Sequence, residues 1–300
     1  MHKANIFILI GATIVLMSRC SKLDSNRKLA IAVEKLIEQS GGIIAVAFED
    51  LITGETLFIN EKEQMHAAST MKTPVMIEVF KQANQNRFHL SESLVVKNEF
   101  RSIVDGSTYS LDLADDSDDS IYQQIGKKMS IRELVFQMIT VSSNLATNIL
   151  IELIGADNVM KTMKEIGAKN IQVLRGVEDN KAYERGLNNT TDGYDMLLVM
   201  KAIALKKVVT PEACDEMIAI LSDQKFNTKI PALLPDSIKV AHKTGSITAI
   251  DHDAAIVYPQ PDHPYVLVIL TKGLQDHEQA EELIAKISRI IFDAVLGSQI

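Results

Sequence analysis

A chain of 300 residues, 46% hydrophobic and 23% charged, has the composition of a globular protein large enough for one big domain or two intimate lobes. Its formal net charge of −8 argues against nucleic acid or an anionic membrane surface as a partner, because both require a basic face.

The N-terminus carries His2 and Lys3 before an apolar run at 6–17. Those proportions fit a secretory signal and are short for a membrane span, although an uncleaved signal anchor has the same outline. The expectation is a signal over 1–20, a mature domain over 21–300 and export to the cell envelope. Cys20, just after the apolar core, is a candidate lipid anchor, with Arg19 before it a poor fit to a lipoprotein site. Cys214 then stands alone in the mature chain, which excludes an internal disulfide; its setting at a helix start assigns it to packing.

Apolar spacing predicts a helix over 29–37, ended by Gly41-Gly42, then a hairpin of strands 43–48 and 56–59 turning at Thr53-Gly54. Helical spacing follows over 71–83, 130–139, 145–154, 158–166, 194–203 and 212–221. Strand-like runs at 239–241, 254–258 and 265–271 precede a terminal helix over 280–296. Two strands first, three last and helices between give an α+β fold. Its centre is one five-stranded antiparallel sheet built from both chain ends, with terminal helices on one face. The helical middle, about 69–225, forms an inserted all-α lobe, and the site is expected where the lobes meet. The acidic stretch 105–120 lacks the frame of a calcium loop and reads as a solvated loop.

Three short motifs carry chemistry. Ser69-Thr70-Met71-Lys72 opens an apolar helix with Pro74 in its first turn, so Ser69 sits where orphan N–H groups and the dipole favour an oxyanion. Lys72, three residues on, shares its face, and a Lys shielded from water can serve as base. Ser142-Ser143-Asn144 lies between two helices, where a loop can aim Ser142 at a leaving nitrogen and Asn144 at a substrate amide. Lys243-Thr244-Gly245, followed by Ser246, ends a strand-like run: a cation and hydroxyls for a carboxylate, with Gly245 admitting a close backbone approach. Each alone has a plainer reading, as a helix cap or a strand end. What separates them from chance is their order and the element on which each falls.

Together these motifs resemble the class A β-lactamase family and its serine-hydrolase relatives, over roughly 28–296. The resemblance implies an α/β sandwich with an all-α lobe. It implies Ser69 as the acylated nucleophile, Lys72 as its base partner, Ser142 as proton relay and Asn144 as substrate binder. Lys243, Thr244 and Ser246 would hold the substrate carboxylate, and the N–H groups of Ser69 and Ser246 would form the oxyanion hole. A serine β-lactamase is the first expectation. A penicillin-binding D,D-peptidase acting on peptidoglycan peptides, an esterase, or a non-enzymatic muropeptide-binding module are its rivals. The expected partner is a small-molecule β-lactam or peptidoglycan peptide, with a monomer, no cofactor and no metal; His242, His252, His263 and His277 are scattered and read as surface or strand residues.

This chain departs from the family pattern in three places. Ser143 stands where the middle motif has an Asp that braces the local backbone. The strand after Lys243 lacks the Arg that assists carboxylate binding, and Asp253 would oppose an anion. Class A enzymes also place a deacylating Glu on an Ω-shaped loop, here about 175–191. The lead-in at 167–175 matches and delivers Glu178 one residue late, behind Val177. Glu184, with Leu187-Asn188 after it, copies the local pattern further along. Glu178 is favoured, Glu184 is kept as its competitor, and a third reading makes both solvated loop carboxylates.

Overall fold

A computed structural model describes residues 27–297. The expected signal, Cys20 and the last three residues lie outside that range.

The sheet consists of β1 (Ile43–Asp50), β2 (Thr56–Ile59), β3 (Lys239–Ile247), β4 (Ile250–Gln260) and β5 (His263–Lys272), in the order β2-β1-β5-β4-β3 with every pair antiparallel. Alternation along the strands divides the core in two. Ile44, Val46, Phe48, Leu267 and Ile269 pack on a terminal pair of helices, α1 (27–40) and α8 (His277–Val295), through Leu29, Val33, Ile284, Ile287 and Ile291. The opposite face presents Ala45, Ala47, Val266, Val268 and Leu270 to the helical lobe.

That lobe contains α2 (Lys72–Asn84), α3 (Ile131–Thr140), α4 (Asn144–Ile154), α5 (Ala156–Ile166), α6 (Gly193–Ala204) and α7 (Pro211–Ser222). Local signals fix their starts: a Ser130/Glu133 capping box opens α3, and Thr210 caps α7 with Pro211 in its first turn. Cys214 is fully buried in α7.

Strands β3 and β4 run well beyond the predicted 239–241 and 254–258. Lys243, Asp251, His252 and Asp253 interrupt the apolar pattern, yet all are buried, the first three partnered by Ser142, Lys229 and His66 from outside the sheet and Asp253 by His242 within it. The acidic stretch also corrects its reading as simply solvated: Asp116 and Asp118 are buried. Of the histidines, His242 and His252 are strand residues with 1% and 0% exposure, so neither is a surface group.

Candidate active site

The turn that carries Ser69 is held from the sheet. A 3-10 turn, Ala68–Met71, carries Ser69 into α2, and Ala68 before it has φ 45°, a left-handed conformation costly for a residue with a Cβ. Burial pushes His252 down to about 4, so its ring is neutral. Its Nε2 donates to the carbonyl of His66 (2.9 Å), and its Nδ1 accepts from Thr271 N (3.1 Å). His66 Nδ1 in turn accepts from Ala68 N (3.0 Å). Strand β3 presses against the same turn: a Cβ on Gly245 would stand 2.9 Å from Ser69 N, so only Gly permits this approach.

Lys72 is fully buried. Its Nζ donates to Ser142 O (2.5 Å), Ser142 Oγ (3.1 Å) and Asn144 Oδ1 (2.8 Å). Burial lowers its pKa to about 7, against the opposing pull of Asp116 and Glu178. Lys243 Nζ reaches the same Ser142 Oγ (3.1 Å) and Thr244 O (2.9 Å); burial and the neighbouring Lys72 hold its pKa well below the usual lysine range. Ser142 itself has φ 61°.

The loop over 175–189 is closed at its neck by Asn189, whose Oδ1 accepts from Leu174 N and Arg175 N and whose Nδ2 donates to Arg175 O. Asn148 of α4 pairs with both backbone groups of Val177, which fixes the backbone just before Glu178. Glu178 is half-buried with φ 62°; its carboxylate accepts from Asp112 N (3.1 Å) and Asn144 Nδ2 (3.3 Å). Burial raises its pKa. Glu184 ends a short exposed helix, Asn180–Glu184, and Asn188 accepts from Arg175 instead. The geometry therefore brings Glu178 to Lys72 through Asn144 and leaves Glu184 outside.

Ser69, Ser142, Asn144, Thr244, Gly245 and Ser246 line one cleft of about 360 Å³ between the lobes. Two buried charged residues also line it, neither marked as a site residue by any motif. Lys229, 2% exposed, donates to Ser246 Oγ (2.6 Å) and pairs with Asp251 (2.9 Å), which also accepts from Ser246 Oγ (2.8 Å) and faces His277 Nδ1 (2.7 Å). It places a second buried cation beside Ser246. Asp253, expected to oppose an anion, is fully buried with both oxygens against His242 Nδ1, one also accepting from Ile230 N. The other residue is Asp116, from the acidic stretch. Among the described residues no group of three or more His, Cys, Asp or Glu is arranged to hold a metal ion.

The arrangement pairs a serine at an anion-favouring turn with a lysine of depressed pKa, a hydroxyl shared by two lysines and a half-buried carboxylate, a set suited to acyl transfer. β-Lactamase AST-1 of Nocardia asteroides is 30% identical over 172 residues, 56% of each chain, so this chain's match spans little more than half of that relative. The crystal structure of a β-lactamase from Sphaerobacter thermophilus superposes with a TM-score of 0.78 at 25% identity, covering 91% of this chain and 98% of that one. A PBP-A mutant, solved as an acyl-enzyme complex with penicillin G, superposes at 0.75 with 26% identity, covering 92% and 97%. A family model described as the β-lactamase enzyme family matches residues 28–295. A match of that extent, over the fold just described, makes this chain a member of the β-lactamase enzyme family.

Proposed function

We propose that this member is a serine β-lactamase of the class A type, opening the β-lactam amide through an ester on Ser69. Lys72, with a pKa of about 7, takes the Ser69 proton as Oγ attacks the carbonyl carbon. The developing oxyanion lies toward the N–H groups of Ser69 and Ser246. Ser142 Oγ accepts from two lysine ammonium groups, which leaves its own proton for the leaving nitrogen, and Lys72 then returns a proton to Ser142. In the second half, Glu178 takes a proton from water as the water oxygen attacks the ester carbon, and that proton returns to Ser69 Oγ. Lys243, Lys229, Thr244 and Ser246 receive the substrate carboxylate, whose charge stabilises the ammonium groups that burial disfavours.

The observation that carries this reading is the bridge at Asn144, whose Oδ1 takes Lys72 and whose Nδ2 reaches Glu178. It joins the acylating base to a hydrolytic carboxylate. A D,D-peptidase is the second reading, favoured by Glu178 standing one residue beyond the family's Glu position. Export to the cell envelope belongs to the proposal through the N-terminal sequence alone.

Turnover of nitrocefin by the purified mature chain, with intact-mass analysis of Ser69→Ala, tests the reading. Rapid turnover by the parent and no adduct on the variant are expected. A stable penicillin adduct without turnover supports the peptidase, and an adduct on Ser69→Ala removes Ser69 from the mechanism.

A further inference from the structure

The first turn of α4 must satisfy four backbone N–H groups that have no helical acceptor. Ser143 Oγ takes Ala146 N (3.2 Å), and Gln137 O takes the N–H of Ser143 itself (3.2 Å). The remaining two go to one carboxylate distant in sequence: Asp116 Oδ1 accepts from Asn144 N (2.9 Å) and Oδ2 from Leu145 N (2.9 Å). Tyr122 Oη and Asp118 N also donate to Asp116, which is 8% exposed. Its neighbours continue the strap. Asp115 O accepts from Asn144 Nδ2 (3.1 Å), and Ser117 Oγ donates to Val141 O (2.8 Å). The strapped segment includes Ser142, a non-glycine residue in left-handed conformation, which persists only where its surroundings over-determine it.

We infer that Asp116 is a positioning residue for Ser142, Asn144 and Lys72, standing in for the carboxylate that the middle motif lacks at Ser143. The inference rests on the serine-acylation reading. Two consequences follow from one group. The carboxylate fixes the backbone that aims Ser142 and Asn144 at Lys72. Its negative charge also sustains the proton affinity of Lys72. The charged groups facing Lys72 are Asp116, then Glu178, both raising its pKa, and Lys243, a like charge; Ser142 and Asn144 are neutral.

Asp116→Asn keeps the size and one acceptor but loses the charge and sets an NH2 against a backbone donor. The probe is benzylpenicillin, with acylation of Ser69 followed by quenched-flow mass spectrometry across pH, and Tm measured alongside. The expected result is a lower Tm, a slower acylation rate by about tenfold or more, and an acidic limb moved to lower pH by about one unit, the low end for loss of a nearby opposite charge. A purely structural residue would slow acylation without moving that limb. Asp116→Asn combined with Ser143→Asp returns a carboxylate to the motif, and we expect it to recover most of the Tm and rate. An unshifted limb overturns the electrostatic role. Unchanged rate and Tm, or a double variant no better than Asp116→Asn, overturns the bracing. If Asp116→Asn does not fold, the double variant decides: near-parental acylation supports the inference and absence of acylation overturns it. A parent that never acylates contradicts the catalytic reading instead, and the Tm comparison then decides the bracing alone.

Discussion

Lys72 and Lys243 reach the same hydroxyl from opposite lobes: Ser142 Oγ lies 3.1 Å from each Nζ. One lysine begins α2 and the other sits in β3, and both are fully buried. Burial lowers both, Lys72 to about 7, and the charge of Lys72 lowers Lys243 further, so the Lys72 amine becomes free near neutral pH.

The pH dependence of acylation follows. Below about 7 Lys72 holds its proton and cannot accept another; above it the amine is free. The single-turnover acylation rate should therefore rise with pH through about 7 and level off. Lys72→Arg, which stays protonated, should be slower by about 10²-fold or more at every pH. Quenched-flow mass spectrometry measures both, and a flat profile would contradict Lys72 as base.

Lys229 joins stability to recognition. Lys229→Met leaves Asp251 buried with only His277 and Ser246 as partners, so we expect a loss of about 3 kcal/mol in urea unfolding. For the folded variant, KM should rise more for a carboxylate-bearing substrate than for a neutral ester, as it should for Lys243→Ala. Equal losses on both substrates would show that neither lysine recognises the carboxylate.

Gly245→Ala places a methyl 2.9 Å from Ser69 N and 3.1 Å from Thr70 N, against backbone that cannot swing aside. Stability should fall by about 1–3 kcal/mol. Nitrocefin turnover should fall by more than that instability explains, because the turn bearing Ser69, the proposed nucleophile, moves. Parental turnover would show that the strand and turn separate freely.

His252 should stay neutral throughout the physiological range, since burial lowers it to about 4 while its Nε2 proton is held by His66 O. Nitrogen-15 NMR of the imidazole should show no titration between pH 5 and 8 and the Nε2–H tautomer. A titration near 6.5 would mean that the bond anchoring His66 and Ala68 is absent in solution.

The helical middle is legible in apolar spacing: 130–139 predicts Ile131–Thr140, and 145–154 predicts Asn144–Ile154. Both sheet ends are legible too, although β3 and β4 are read short where polar residues find partners only across the fold. The three motifs announce themselves because their residues are adjacent along the chain. Lys229 and Asp116 do not, because their partners lie 17 residues away at Ser246 and 28 and 29 residues away at Asn144 and Leu145. A lone lysine and one aspartate among six carry no local signal of burial. The different surroundings of Glu178 and Glu184 were not legible either, since Asn148, which holds the backbone before Glu178, sits on a helix far from the loop in sequence.

The proposed reaction has two steps, with Ser69 acylated by one set of groups and released by Glu178. Losing the deacylating base leaves acylation largely intact and traps the intermediate. Time-resolved intact-mass spectrometry with benzylpenicillin, on the parent, Glu178→Gln and Glu184→Gln, tests it most directly. A long-lived adduct on Ser69 is expected in Glu178→Gln, with Glu184→Gln turning over nearly as the parent does. Trapping by Glu184→Gln alone, or by neither variant, would contradict it.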